Sequence, residues 1–460
     1  MFSKETYINR RTVLKKDIES GILLFLGNDE TGMNYLDNTY NFRQDSTFLY
    51  YFASDYAGLD AIIDIDENKE IIFGDELTMD HIVWMGSQPT IREKSETVGI
   101  SNILPKKELA TYLQDAISKG RKIHFLPPYR ADHRIKLLDL LKISPNKQDE
   151  LQSLDFVKSV VNQRNYKSKE EIVQIDNAAS ITADMHLTAM KMARVGMKEC
   201  EIAAAVQQVA VASGGGLSFP TIATIHGETL HNHYHGNTIK SGDMLLLDAG
   251  AENSMHYAGD MSSTFPVDKA FSTRQKEIYQ IALNSHNASV NALKPGVAFR
   301  DVHLLACKTI AEGMKAMGFM KGDMDEAVEM GAHALFFQCG LGHMMGLDVH
   351  DMENLGEQWV GYNGVPKSTM FGLKSLRLGR DLEPDFVLTI EPGIYFIPEL
   401  IDMWKAEKKF SQFINYDKVE EYKDFGGCRN EEDYLITADG KRLLGKAIPK
   451  EIADVEEMRG

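Results

Sequence analysis

Apolar and polar positions along this chain fall into short blocks whose character changes about a third of the way through. Residues 4 to 18 carry helical spacing, GILLFLG reads as a buried strand, and DAIIDIDENKEIIFGD reads as two strands around a polar turn. A helix at KELATYLQDAI, a strand at KIHFLP and a helix at HRIKLLDLLK continue an α/β pattern. The polar stretch SPNKQDE, residues 144 to 150, breaks that pattern and predicts a boundary soon after it, giving domains of 1–158 and 159–460.

The second half opens at Ser168, where SKEE is a capping box with Ser168 as N-cap and Glu171 as its return partner. Ile172, Ile175, Ala179 and Ala183 follow at helical spacing, and Gly196 is the expected stop. A helix from about Lys198 to the Gly214–Gly216 triplet comes next, and two more span 273–292 and 299–317. TIATIHG, DMLLLDAG, HYAGDMSSTFPV, FVLTIEPGIYFIP and NEEDYLIT have strand patterns. Helices and strands in blocks predict an α+β domain with an antiparallel sheet.

With 460 residues, two domains are the natural expectation. A net charge of -17 argues against sequence-independent binding to nucleic acid or to an anionic membrane, since both require a basic face. The N-terminal stretch has no long apolar region and GILLFLG is too short to span a bilayer, so a cytoplasmic protein is expected. Cys200, Cys307, Cys339 and Cys428 form no CxxC pair, which fits a reducing compartment.

Chemistry concentrates in five segments, LLLDAG, YAGDMSSTFP, GLGHMMGLDVHD, VLTIEPGIYF and CRNEEDYLIT. They hold Asp248, Asp260, His343, Glu391 and Glu431, mostly within apolar surroundings where an isolated carboxylate costs several kcal/mol or more. Asp248 and Asp260 lie on successive strand patterns at a hairpin-like separation, which lets two carboxylates converge. Taken singly, each Asp reads as a turn residue, His343 as a structural histidine, and Glu431 as half of a surface ion pair with Arg429. Together, hard oxygen ligands and one imidazole suit Mn²⁺, Co²⁺ or Zn²⁺. Two such ions about 3.5–4 Å apart can bridge a hydroxide and clamp a tetrahedral intermediate, so amide hydrolysis is the natural reaction class.

These segments, in this order and at these separations, resemble the pita-bread metallopeptidases, which include methionine aminopeptidase, aminopeptidase P and prolidase. FRQDSTFLYYF at residues 42 to 52 resembles the N-terminal domain of the aminopeptidase P and prolidase branch. DHIVWMG, GLKSLRLGRDLEPDFVLTIEPGIYFIPELID and FINYDKVEEYKDFGGCRNEED look most like prolidase, the Xaa-Pro dipeptidase. The resemblance implies a pita-bread catalytic domain behind a smaller creatinase or aminopeptidase P-type α/β domain. It also implies cleavage before proline, Mn²⁺ as the preferred metal, and a homodimer.

Position by position, the resemblance makes Asp248, Asp260, His343, Glu391 and Glu431 the metal ligands, with Asp260 and Glu431 bridging. It makes Glu391 the proton shuttle, and His350 and His231 the histidines at the substrate carbonyl, with His233 and His235 as alternative registers. Arg377 would recognise the carboxylate of a dipeptide's proline, and Arg429 would support the ligands. Two positions depart from the pattern. Cys339 stands where relatives have the first histidine of HGLGH, with packing or binding of softer ions as its expected roles, and Asn430 stands where they commonly have an aliphatic residue. Trp84 reads as core, or by resemblance as a residue near a neighbouring subunit's active site. The competing readings are an aminopeptidase P acting on longer peptides with proline second, and a metal-free binding protein of the same fold.

Overall fold

Helix α1 (Lys4–Asp17) and strand β1 (Ile22–Leu26) form where the hydrophobic pattern puts them, β1 with four of its five residues buried. The structure is a computed structural model describing residues 1–460, and its chain divides into two compact units. The first is Met1–Arg164 with Met352–Trp359, and the second is Asn165–Asp351 with Val360–Gly460.

In the first unit β2 (Asp60–Asp64), β3 (Lys69–Phe73), β4 (Asn102–Leu104) and β5 (Ile123–His124) join β1 in a sheet of order β4-β3-β2-β1-β5. The β1–β2 and β2–β3 pairs are antiparallel and the outer two are parallel, so the sheet is mixed. Helices α2 (Glu108–Ser118) and α3 (Ala131–Leu141) bury Leu109, Leu113 and Leu137 against Ile22, Leu24, Ile62, Ile71 and Phe73. Each such side chain contributes about 1.5–3 kcal/mol when fully buried. The FRQDS motif is structural in this unit. Gln44 is fully buried and bonded to the Asn28 amide at 2.6 Å, while Asp45 caps the helix Ser46–Phe52 by accepting from the Phe48 amide.

Two expectations for this unit are corrected. SPNKQDE does not break the structure but forms α4 (Pro145–Leu151), with proline at the first turn, where its missing N–H costs nothing. The compact units divide between Arg164 and Asn165, at the C-terminal end of the helix α5 (Leu154–Asn165), and the expected 158/159 boundary falls within that same helix. Trp84 is 85% exposed, on a short helix (Met79–Met85) that buries none of its residues and so offers no face for a core.

In the second unit Ser168 and Glu171 form the capping box of α6 (Lys169–Met192). That helix stops at Met192, before Gly196, because Ala193 already turns extended; Gly196, at φ 92°, shapes the following turn and bonds to the Ile239 carbonyl. Then follow α7 (Glu199–Ala212), α8 (Thr273–Ala292) and α9 (Phe299–Ala316). Every strand pair here is antiparallel. Strands β6 (Ile222–Thr224), β7 (Met244–Ala249) and β8 (Met261–Pro266) form a sheet of order β8-β7-β6. A second three-stranded sheet holds β9 (Val387–Ile390), and β10 (Gly393–Tyr395) pairs with β11 (Gly427–Arg429). Strands β12 (Glu432–Ile436) and β13 (Lys441–Leu443) complete that second sheet in the order β9-β12-β13. The fold is therefore α+β. No helix is long and apolar enough to cross a membrane.

Candidate metal centre

The hairpin register brings the two aspartates together. Strands β7 and β8 run antiparallel with Asp248 opposite Ser262, and Asp260 immediately precedes β8. Both strands are buried throughout, so the carboxylates are held at the edge of apolar packing. The Asp260 amide donates to Asp433 Oδ2 at 3.0 Å, fixing the start of β8.

His343 and Glu391 are set by a second pairing. Met345 donates to the Val387 carbonyl, Thr389 to that of His343 and Glu391 to that of Leu341, so residues 341–345 lie antiparallel along β9 and its C-terminal end. Gly342 permits this approach, because a Cβ there would stand 2.1 Å from the Thr389 carbonyl oxygen. His343 Nδ1 donates to the Met344 carbonyl at 3.1 Å, which leaves Nε2 with its lone pair toward the acids. That nitrogen lies 3.3 Å from Asp260 Oδ2 and 3.6 Å from Glu391 Oε1.

Glu431 enters between β11 and β12, bridged to Ser262 of β8. The Ser262 hydroxyl donates to Glu431 Oε2 at 2.7 Å and accepts from Arg429 Nε at 2.8 Å. Arg429 also donates through Nη1 to Tyr395 Oη at 2.9 Å and through Nη2 to Asp248 Oδ2. Buried Arg429 thus holds one aspartate directly and one glutamate through a shared hydroxyl. Thr264 and Arg429 exchange side-chain and backbone hydrogen bonds at 3.0 Å, tying β8 to β11.

Burial and mutual repulsion make this centre costly without compensating charge. Burial first, then the Asp248 charge, pushes the Asp260 carboxyl well up. Burial, then Asp260 and Glu391, does the same to Glu431, and burial lifts Glu391 to about 7. Asp248 Oδ1 and Asp260 Oδ1 are buried without hydrogen-bond partners. Ligand atoms of Asp260, His343 and Glu431 lie within 4.8 Å of one another. Crowded carboxylates with unused oxygens and one correctly oriented imidazole are a donor set that fits divalent cations.

Residues 173–438, more than half of the chain, match the description Metallopeptidase family M24. The chain belongs to metallopeptidase family M24. Residues 7–124 of this M24 chain match the N-terminal domain of aminopeptidase P. A human Xaa-Pro dipeptidase is 31% identical over 95% of the chain and 89% of its own length. A probable Xaa-Pro aminopeptidase of Sordaria macrospora is 30% identical over 95% of the chain and 91% of its own length. Among solved structures, zinc-substituted Escherichia coli aminopeptidase P in complex with product superposes with a TM-score of 0.80 at 26% identity, covering 100% of the chain and 98% of that structure. The pita-bread expectation for the fold, with an aminopeptidase P-type N-terminal domain, holds.

Around the carboxylates of the M24 domain stand the remaining expected residues. His350 packs edge-on against His343 with ring centroids 4.3 Å apart. Of the three nearby histidines, His231 feels the charges of Asp248, Arg429, Arg377 and His350, and burial pushes its pKa down. His231 and His233 are both exposed, but only His231 feels these charges, and His235 bonds to the Thr221 carbonyl. Arg377 acts electrostatically on Asp260, Glu391 and His231, so its charge reaches the same centre. Burial, then the Glu391 charge, raises the Cys339 thiol to about 12, and its Sγ lies 3.9 Å from Tyr395 Oη. Asn430 is buried and its Oδ1 accepts from Tyr279 Oη at 3.1 Å, while its Nδ2 is buried without a partner.

Sequence reasoning passed over Ser262, Tyr395 and Asp433. Ser262 and Tyr395 carry no charge to flag them. Asp433 had a signal in the NEED run, since three consecutive acids in a strand cannot all face solvent.

Proposed function

We propose that this chain is an exopeptidase that hydrolyses the peptide bond before proline, with Xaa-Pro dipeptides as its main substrates. The convergence of Asp260, His343 and Glu431 within 4.8 Å, joined by Asp248 and Glu391, carries this reading. Those five residues would hold two divalent cations, Mn²⁺ by preference and Co²⁺ or Zn²⁺ otherwise, with Asp260 and Glu431 shared between them. When bound, such cations acidify a water molecule and polarise a carbonyl.

The chain's own groups do the rest. The Glu391 side chain is 19% exposed against 6% for Asp260, so it can reach both the attacking water and the leaving group. It takes a proton from the first and delivers it to the proline nitrogen. His231 and His350 donate to the carbonyl oxygen as it gains charge. Arg429 orients Asp248 and, through Ser262, Glu431. Arg377 pairs with the proline carboxylate through parallel hydrogen bonds. An Xaa-Pro bond has no N–H, so a site that never asks for that donor gains its selectivity from the ring and the carboxylate.

The same reading makes residues 159–460 the catalytic domain, a homodimer the active species and the cytoplasm its compartment. The human dipeptidase and the fungal aminopeptidase are equally similar, so substrate length is the open choice between two readings. Mn²⁺-loaded protein tested on Gly-Pro and Ala-Pro against a matched Xaa-Pro-Yaa tripeptide decides it. Faster dipeptide turnover supports the proposal, and tripeptide preference selects the aminopeptidase P reading. No turnover on either, with less than one metal equivalent bound, leaves the metal-free binding protein.

A further inference from the structure

A second cluster of ligating side chains is buried in the M24 domain. His303, Cys307 and His333 are each wholly inaccessible, and one ligand atom of each lies within 4.8 Å of the others. His303 and Cys307 stand four apart on one face of α9, and His333 comes from the 3-10 turn Ala332–Leu335. Their polar atoms are poorly satisfied. His303 Nε2 lies 3.4 Å from Cys307 Sγ, but His303 Nδ1 has no hydrogen-bond partner. Of the two His333 nitrogens at most one is met, by the Val328 carbonyl, and the other is buried without a partner. Each buried orphan of this kind costs about 1–3 kcal/mol, which a core of Leu and Phe would avoid.

We infer that His303, Cys307 and His333 form a second metal site, distinct from the carboxylate centre, that takes a borderline cation of the Zn²⁺ class. Two imidazoles and a thiolate favour Zn²⁺ or Co²⁺ over Mn²⁺, whereas oxygen donors dominate the carboxylate centre. The 3.4 Å between His303 Nε2 and Cys307 Sγ is close to the separation of about 3.6 Å expected for a nitrogen and a sulfur on one tetrahedral zinc. Burial keeps both imidazoles neutral, lowering His303 to about 3 and His333 to about 4, so their lone pairs are available at neutral pH. Burial, then Cys339, also holds the Cys307 thiol protonated, so binding breaks the S–H bond, forms the metal–sulfur bond and releases one proton to solvent. The competing arrangement is a plain S–H···N hydrogen bond between Cys307 and His303.

The test uses the full chain, stripped of metal, reloaded with excess Mn²⁺ and titrated with Co²⁺ under anaerobic conditions. A near-ultraviolet thiolate-to-cobalt absorption that saturates at one equivalent and disappears on adding Zn²⁺ is expected. It should persist in Cys339→Ser and vanish in Cys307→Ser. His333→Phe, which keeps a ring in the core, should weaken Co²⁺ binding by at least about tenfold. Absence of the band in the unaltered protein overturns the inference without recourse to any variant. So does a band that survives Cys307→Ser, one lost with Cys339→Ser, or unchanged affinity in His333→Phe.

Discussion

Ser262 donates its hydroxyl to Glu431 Oε2 at 2.7 Å, and the same oxygen accepts from Arg429 Nε. One small side chain therefore couples the buried Arg429 guanidinium to an acid two residues along the chain from it. Ser262→Ala removes both bonds without adding bulk. The expected result is an unchanged far-ultraviolet spectrum and a Mn²⁺ requirement for half-maximal activity raised about 10–100-fold. An unaltered metal requirement would discount the relay.

The Arg377 charge reaches the centre, and its proposed partner is the substrate carboxylate. A charge-assisted hydrogen bond contributes about 1.5–3 kcal/mol, so Arg377→Ala should raise KM for Ala-Pro roughly 10–100-fold. A tripeptide whose proline carboxyl is in an amide should be affected far less. Equal losses on the two substrates would refute the role.

Asp260 sits among like charges, and its carboxyl is pushed up by burial and Asp248. Asp260→Asn removes one charge from that crowd. In chelator-treated protein it should raise Tm, by roughly 1–2 °C for each kcal/mol of repulsion relieved in a unit of this size. Turnover after Mn²⁺ addition should be abolished. A stripped variant less stable than the stripped parent would show that Asp260 is held by hydrogen bonds more than it is strained by charge.

His124, in the first unit, is 4% exposed and its pKa is lowered by burial. Its Nε2 donates to the Ser20 carbonyl and its Nδ1 accepts from Ser153, so the neutral ring is fully bonded. A folded pKa below the unfolded value of about 6.5 means stability present above that pH and lost as pH falls toward the folded value. Going from about pH 7.5 to about pH 5.5 should destabilise the parent more than His124→Gln, measured by urea unfolding. Parallel pH profiles would contradict the assignment.

Gly342 lies where a Cβ would stand 2.1 Å from the Thr389 carbonyl oxygen. Gly342→Ala should separate residues 341–345 from β9, displacing His343 from Glu391. Activity should fall below detection, and Tm should drop even with Mn²⁺ present. Retained activity would mean that this pairing does not position the ligands.

Much of this architecture was legible because it follows from period and burial. β1 and β7 are strands because each is an apolar run of strand length, and the Ser168–Glu171 box starts α6 through local chemistry. The carboxylates could be nominated because acids in apolar segments need a reason. Other features depended on what the chain meets in space. SPNKQDE looked like a linker, yet buried Gln148 donates to the Arg134 and Ile143 carbonyls and anchors it as a helix. Trp84 looked like core because aromatic content says nothing about whether a partner surface exists. His303 and Cys307 read as ordinary helix positions, since His333 reaches them from a turn that has no signature of its own.

Arg429 has one further consequence. Its guanidinium cannot shed its proton, so Asp248, Asp260, Glu391 and Glu431 have one permanent counterion bonded among them and a second, Arg377, at longer range. With both arginines counted, one bound divalent ion would bring the ensemble to neutrality and two would make it cationic. A centre so loaded would draw an anion from its surroundings, and phosphate, fluoride or a departing product carboxylate would compete for the place that the water must occupy.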